Sequence, residues 1–225
     1  MGKRIYFPVL LMIAAGGLAP SASAEGINCK KAQTPIEKAI CADPDLHALD
    51  TRVAKAYSRL QKELDPESAK ALRSDQRWFN TAQEFATEAR GGTVEKEDIS
   101  DSLQFRAKFL ESIVARPAPG LSGRWENAAG TITLEESPEN RVTFDGNAAD
   151  PQSARWLCEA GGEGPLVNGE AKIAVETDDG AWTITASRSG ATLGLDEIPP
   201  SKDAASPPYC GFNGRFSGVY FQTRK

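Results

Sequence analysis

The spacing of apolar residues changes once along the chain. Up to about residue 113 it is helical. Leu46, Leu49, Val53, Tyr57, Leu60 and Leu64 recur three and four apart and predict one long helix with a single apolar stripe. Leu72, Phe79, Ala82 and Ala86 mark another helix, with Trp78 and Phe85 beside that face. Ile99, Leu103, Arg106, Leu110 and Ile113 mark a last one. The starts are written locally. Thr34-Pro35-Ile36-Glu37 reads as a capping box with proline at the first helical position, opening a short helix that runs to about Ala42. Asp43-Pro44 and Asp65-Pro66 repeat the device, and Gly91-Gly92 ends the third helix. The connections are short, so neighbouring helices should pack antiparallel.

Beyond the stretch "VARPAPGLSG", Val114 to Gly123, the pattern alternates. Ile132/Leu134, Val142/Phe144, Trp156/Cys158, Ile173/Val175, Trp182/Ile184, Leu193/Leu195 and Val219/Phe221 each have polar neighbours. Asp145-Gly146, Asn168-Gly169, Asp179-Gly180 and Ser189-Gly190 read as turns between them. Seven or eight short strands at this spacing predict an antiparallel sandwich or barrel. The proline-rich run from Asp196 to Gly211 reads as a loop. The expected architecture is α+β in two domains: a helical bundle over 25–114, a Pro/Gly linker over 115–122 and a β domain over 123–225.

The first 24 residues stand apart. Lys3 and Arg4, the apolar run Ile5 to Leu18 and Ala22-Ser23-Ala24 read as a secretory signal peptide. The residue after the cut is Glu25, so no lipid anchor is expected, and the apolar run is too short to span a membrane. The expected location is the periplasm. Lys3 and Arg4 leave with the leader, so 26 basic residues fall to 24 against 31 acidic ones. An acidic chain argues against nucleic acid as a partner.

Candidate chemistry is sparse. Cys29, Cys41, Cys158 and Cys210 make an even set, which in an oxidising compartment reads as disulfides. Three pairings exist, and locality favours 29–41 with 158–210. His47 is the only histidine, so a cysteine nucleophile has one conceivable base and a metal site has almost no nitrogen ligands. No phosphate loop, Gly-x-Ser-x-Gly, His-Glu-x-x-His or Cys-x-x-Cys is present. Paired carboxylates such as Asp43/Asp45 and Glu135/Glu136 read as caps and solvated faces. The expectation is therefore a non-enzyme with no cofactor and no metal. The tryptophans of the β half (Trp125, Trp156, Trp182) could line a ligand cavity or fill a small barrel.

One block is more specific. Cys29, Thr34-Pro35-x-Glu37-Lys38-x-Ile40-Cys41, Asp43-Pro44-x-Leu46-x-x-Leu49-Asp50 and then Tyr57 resemble the N-terminal domain of LprI-type lysozyme inhibitors. "LRSDQRWF", Leu72 to Phe79 with Gln76 inside it, looks like that family's second motif. The resemblance covers roughly Cys29 to Ile113. It implies a cysteine-stapled helical module in which Thr34, Glu37, Asp43, Leu46, Leu49, Asp50, Tyr57 and Gln76 carry the fold. The family's further cysteine is missing, because Asn80 to Ala86 contains none. At the C-terminus, Ser217-Gly218, Tyr220 and Thr223-Arg224-Lys225 are similar, with compressed spacing, to loops of periplasmic C-type lysozyme inhibitors. That likeness would make Ser217, Tyr220 and Lys225 lysozyme contacts; the plainer reading is a last strand with a basic frayed end. The implied function is a protein-binding module whose partner is a lysozyme-type muramidase. The alternatives are an immunity or accessory protein for another envelope partner, or small-ligand binding in the β domain.

Overall fold

The computed structural model describes residues 26–151, 155–178, 180–204, 206–211 and 213–224. The expected leader, residues 1–24, lies outside them. Four helices come first: α1 (Pro35–Ala42), α2 (Pro44–Glu63), α3 (Pro66–Ala89) and α4 (Lys96–Ser112). A single 3-10 turn, Cys29–Lys31, precedes them. Each of the first three begins where a side-chain oxygen takes up orphan amides and a proline follows. α1 and α4 pack on α2. Leu46, Val53 and Leu60 of α2 meet Leu103, Ala107 and Leu110 of α4 in one buried cluster.

Eight strands follow: β1 (Gly123–Glu126), β2 (Gly130–Glu136), β3 (Arg141–Ala149), β4 (Leu157–Val167), β5 (Glu170–Val175), β6 (Trp182–Ser189), β7 (Thr192–Ile198) and β8 (Gly218–Thr223). Each pairs antiparallel with the next, and β1 pairs with β8, closing an up-and-down barrel. Of the two expected architectures, sandwich or barrel, it is the barrel. Its inside is filled by Trp125, Ile132, Leu134, Val142, Phe144, Ile173, Ile184, Leu193 and Tyr220, all essentially inaccessible to solvent. The Trp125 indole donates to the Leu121 carbonyl at 2.8 Å, so its one polar atom is satisfied.

Several strand expectations differ from what is observed. Asp145-Gly146 is not a turn but lies in the middle of β3. Gly146 points inward, and a Cβ there would meet the Phe144 ring at 2.6 Å, so glycine makes room for that ring. Asp196 to Ile198 belong to β7 rather than to the proline-rich loop. Trp156 precedes β4 and is half-buried. On β8 the expected faces are exchanged. Tyr220 enters the barrel core, Val219 is exposed, and Phe221 leaves the barrel to join the helical cluster with Ala191.

The two halves share a core through that last strand. The segment after α4 runs beside β8: Ile113 bridges Thr223, Val114 N–H donates to Gln222 at 2.8 Å, and Arg224 N–H donates to Ser112 at 3.0 Å. The described C-terminal residues are thus paired up to Arg224 rather than frayed. The connecting stretch is held as well. Arg188 donates to the carbonyls of Pro117 (2.8 Å), Ala118 and Gly120. Glu136 accepts the amides of Leu121 and Ser122.

Candidate functional site

The motif residues of the helical half are first of all fasteners. Glu37 N–H donates to Thr34 Oγ1 at 3.2 Å, and Glu37 Oε2 accepts the amides of Gln33 (2.7 Å) and Thr34 (3.0 Å). Those two backbone donors hold the Glu37 carboxyl below its ordinary range. Asp43 caps α2 through the amides of Asp45 and Leu46 and pairs with Lys96 Nζ at 2.5 Å, tying the start of α4 to the start of α2. The Lys96 contact is the largest cause of its lowered pKa. Asp50 accepts the Ile27 amide at 2.6 Å and so anchors the segment before the first cysteine. Burial outweighs that bond and pushes the Asp50 carboxyl up. Cys29 and Cys41 are disulfide-bonded with Cα atoms 5.5 Å apart, and Cys158 is bonded to Cys210.

Thr34, Glu37, Asp50, Tyr57 and Gln76 come from three helices and the turn before them, yet they line one groove of about 280 Å³. Ile36 and Phe79 add its apolar surface. Leu46 is buried and Leu49 half-buried in the cluster beneath. The Tyr57 hydroxyl has no hydrogen-bond partner among the described residues, and burial raises its pKa. None of the groove's carboxylates, Glu37, Asp50 and Glu84, has an imidazole or thiol as hydrogen-bond partner among the described residues. Among the described residues no three His, Cys, Asp or Glu side chains gather as a metal site. The groove can present donors and an apolar floor; it holds no nucleophile and base in contact.

Behind it sits a buried ion pair that sequence reasoning passed over. Arg106 on α4 is 1% exposed and donates Nη1 to Asp75 Oδ2 at 2.7 Å and Nε to Gln76 Oε1 at 2.9 Å. Its guanidinium lies 5.0 Å from the ring centres of Phe79 and of Phe109. Burial lowers its pKa and the Asp75 carboxylate opposes that, so the guanidinium stays charged. The other Asp75 oxygen accepts the amide of Ala128, in the β1–β2 turn, at 2.9 Å. One carboxylate therefore joins α3, α4 and the barrel. The available signal was an arginine on an otherwise apolar stripe, which requires a buried counter-charge.

A larger cleft, about 860 Å³, opens between α3 and the outside of the barrel. α3 crosses the wall lengthwise. Its cap Asp65 and Ser68 receive the Ala191 amide of the β6–β7 turn at 3.3 and 3.1 Å. Asp75 holds the middle, and Phe85 near the far end lies 5.6 Å from the guanidinium of Arg155, just before β4. Glu67, Lys70, Ser74 and Trp78 face Ser187, Gly194 and Val219, which sit side by side in register on β6, β7 and β8.

Ser217 and Tyr220 also line this cleft. Ser217 gives its amide and hydroxyl to Glu197 Oε2, each at 2.8 Å. Tyr220 is 1% exposed and its hydroxyl donates to the Phe216 carbonyl at 2.7 Å, with burial the main cause of its raised pKa. Both hydroxyls are engaged within the fold. Lys225 lies outside the described residues. Glu197 further accepts the Tyr209 hydroxyl at 3.0 Å and the Phe216 amide at 2.8 Å, so one carboxylate fixes the long β7–β8 connection.

Residues 29–110 match the family described as "Lysozyme inhibitor LprI". The match runs from the first disulfide cysteine through nearly all of α4, and the barrel lies beyond it. No curated protein matches the chain. No solved structure matches it either.

Proposed function

We propose that this chain is an exported periplasmic binding protein that inhibits lysozyme-type muramidases through its helical half. The observation that carries this reading is the family match over residues 29–110. Two disulfides fit an oxidising compartment. No described helix is long and apolar enough to cross a membrane.

A lysozyme cleft works with a glutamic acid and a nearby aspartate. An inhibitor covers those carboxylates and offers them donors. The motif groove supplies such a surface, with the unpartnered Tyr57 hydroxyl at its wall and amide side chains of Asn80 and Gln83 beside it. An acidic chain, formally −5 and lower still once Lys3 and Arg4 leave with the leader, speeds encounter with a basic enzyme, an effect that salt screens. The test is lysis of cell-wall substrate by c-, g- and i-type lysozymes with the mature chain in excess. Loss of lysis with at least one class is expected, weaker at high ionic strength. Undiminished lysis with all three removes the proposal.

A further inference from the structure

We infer that the cleft between α3 and the barrel binds a short, carboxylate-bearing oligosaccharide. Only the choice of sugar rests on the muramidase reading: the polymer such an enzyme cuts is the natural candidate. The site itself stands on this chain's geometry.

The cleft is held open. Its α3 wall is fastened at two points, Asp65 and Ser68 on the Ala191 amide and Asp75 on the Ala128 amide. A ligand would enter a gap already formed, which lowers the ordering cost of binding. Its volume, about 860 Å³, lies within the range of small-molecule sites. On the barrel wall Ser187, Gly194 and Gly218 leave room opposite α3. A Cβ on Gly194 would meet only the Ser187 carbonyl, at 3.8 Å.

Three kinds of group converge there. Trp78 is 36% exposed and Trp156 half-buried, so each presents indole surface to the cleft. Flat aromatic rings suit the C–H faces of sugars, amphipathic surface against amphipathic surface. Ser187, Ser189 and Asn213 offer side-chain hydroxyls and an amide that no other described residue engages. Lys70 on one wall and Arg215 on the other are exposed and have no ion-pair partner among the described residues. Of the carboxylates lining the cleft, Asp75 is paired with Arg106 and Asp150 with Arg155, which leaves Glu67 against two cations, Lys70 and Arg215, and that balance points to a carboxylate on the ligand. A lipid chain would need a continuous apolar lining. This cleft alternates apolar and hydroxyl-bearing groups, which is what a sugar ring itself does.

The experiment is direct titration of the full mature chain, without any lysozyme, by calorimetry and tryptophan fluorescence. The probes are a tetrasaccharide of alternating N-acetylglucosamine and N-acetylmuramic acid and its neutral counterpart, tetra-N-acetylchitotetraose. Saturable binding of the acidic sugar is expected. Trp78→Ala should weaken both sugars by about tenfold. The pair Lys70→Ala with Arg215→Ala should weaken only the acidic one. All three residues are exposed, so these variants keep the fold, which unchanged melting temperatures verify. Ser187→Phe, which fills the gap, should abolish binding. No saturation by either sugar, binding that survives Trp78→Ala and Ser187→Phe, or equal competition by polyglutamate would each overturn the inference. Lysozyme inhibition that persists in Trp78→Ala while sugar binding is lost separates the two proposals.

Discussion

Asp50 shows how one carboxyl can serve the fold at an electrostatic cost. Its oxygen holds the Ile27 amide, but burial raises its pKa above the ordinary 3.8 despite that bond and nearby His47. A carboxyl raised in the folded state binds its proton more readily there than in the unfolded chain. Its contribution to stability therefore grows as pH falls through the folded value and levels off below the unfolded one. Asp50→Asn keeps an acceptor for Ile27 and removes the charge. The variant should melt at or above the wild-type temperature at pH 7, and the advantage should shrink towards pH 3; calorimetry at both pH values measures it. Asp75 is the opposite case, since its charge is matched. Asp75→Ala leaves Arg106 buried without its anion and the Ala128 amide without an acceptor. That should cost about 3–5 kcal/mol in denaturant unfolding. Replacing both partners by apolar residues, Asp75→Leu with Arg106→Met, should cost clearly less, because no orphaned charge remains.

Helix starts were legible because their chemistry is local. Thr34 with Glu37, Asp43 and Asp65 meet amides two or three residues away, and the following proline marks the first turn. The Cys29–Cys41 staple has the same local character, closing a short loop across α1. Changing both cysteines to serine should lower stability by about 3 kcal/mol in the chain-entropy picture. Urea unfolding of the double variant against wild type checks this. What was not legible depends on partners far along the chain. Asp145-Gly146 has the composition of a turn, but Gly146 faces the barrel interior between the Phe144 ring and Ile132 of β2, which a Cβ would meet at 2.6 and 2.9 Å, and Ile132 arrives there only when β2 pairs with β3. On β8 the alternation of Val219 and Phe221 suggested the buried face. Tyr220 took it instead, because its hydroxyl finds the Phe216 carbonyl, whereas Phe221 finds a second core. The second face of α3 is illegible for the same reason. Trp78 and Phe85 look like the margin of a bundle stripe until the barrel wall is set beside them. Of the two grooves, the motif groove is the one whose lining lies in the recognised pattern, through Thr34, Glu37, Ile40, Asp50, Tyr57, Gln76 and Phe79. The α3–barrel cleft could not be reached from sequence, because its α3 wall meets barrel residues scattered from Asn127 to Tyr220.

The change of period near residue 114 suggests two independent domains, and the packing argues against independence. Phe221 of β8 and Ala191 of the β6–β7 turn belong to the barrel yet are buried with Leu46, Leu60, Phe109 and Leu110 of the helices. Phe109 and Phe221 meet edge to face at 6.4 Å. Backbone pairing from Ile113 to Thr223, the Arg188 clamp on the connecting carbonyls and the Asp75 bridge add polar ties to the same boundary. Losing either half would expose the inner face of the other, so the molecule should unfold in one transition. Phe221→Ala tests this where the two cores meet. Truncating a fully buried phenylalanine should cost about 3–5 kcal/mol. Because the ring belongs to the helical core and its backbone to the barrel, the loss should appear equally in both halves. Far-ultraviolet circular dichroism at the helical minimum and near-ultraviolet signals from Trp125 and Trp182 should shift together to the same lower midpoint. A helical signal that melts early while the tryptophan signal stays at its wild-type midpoint would show two separable domains. The α3–barrel cleft would then lack the fixed walls on which its sugar specificity depends.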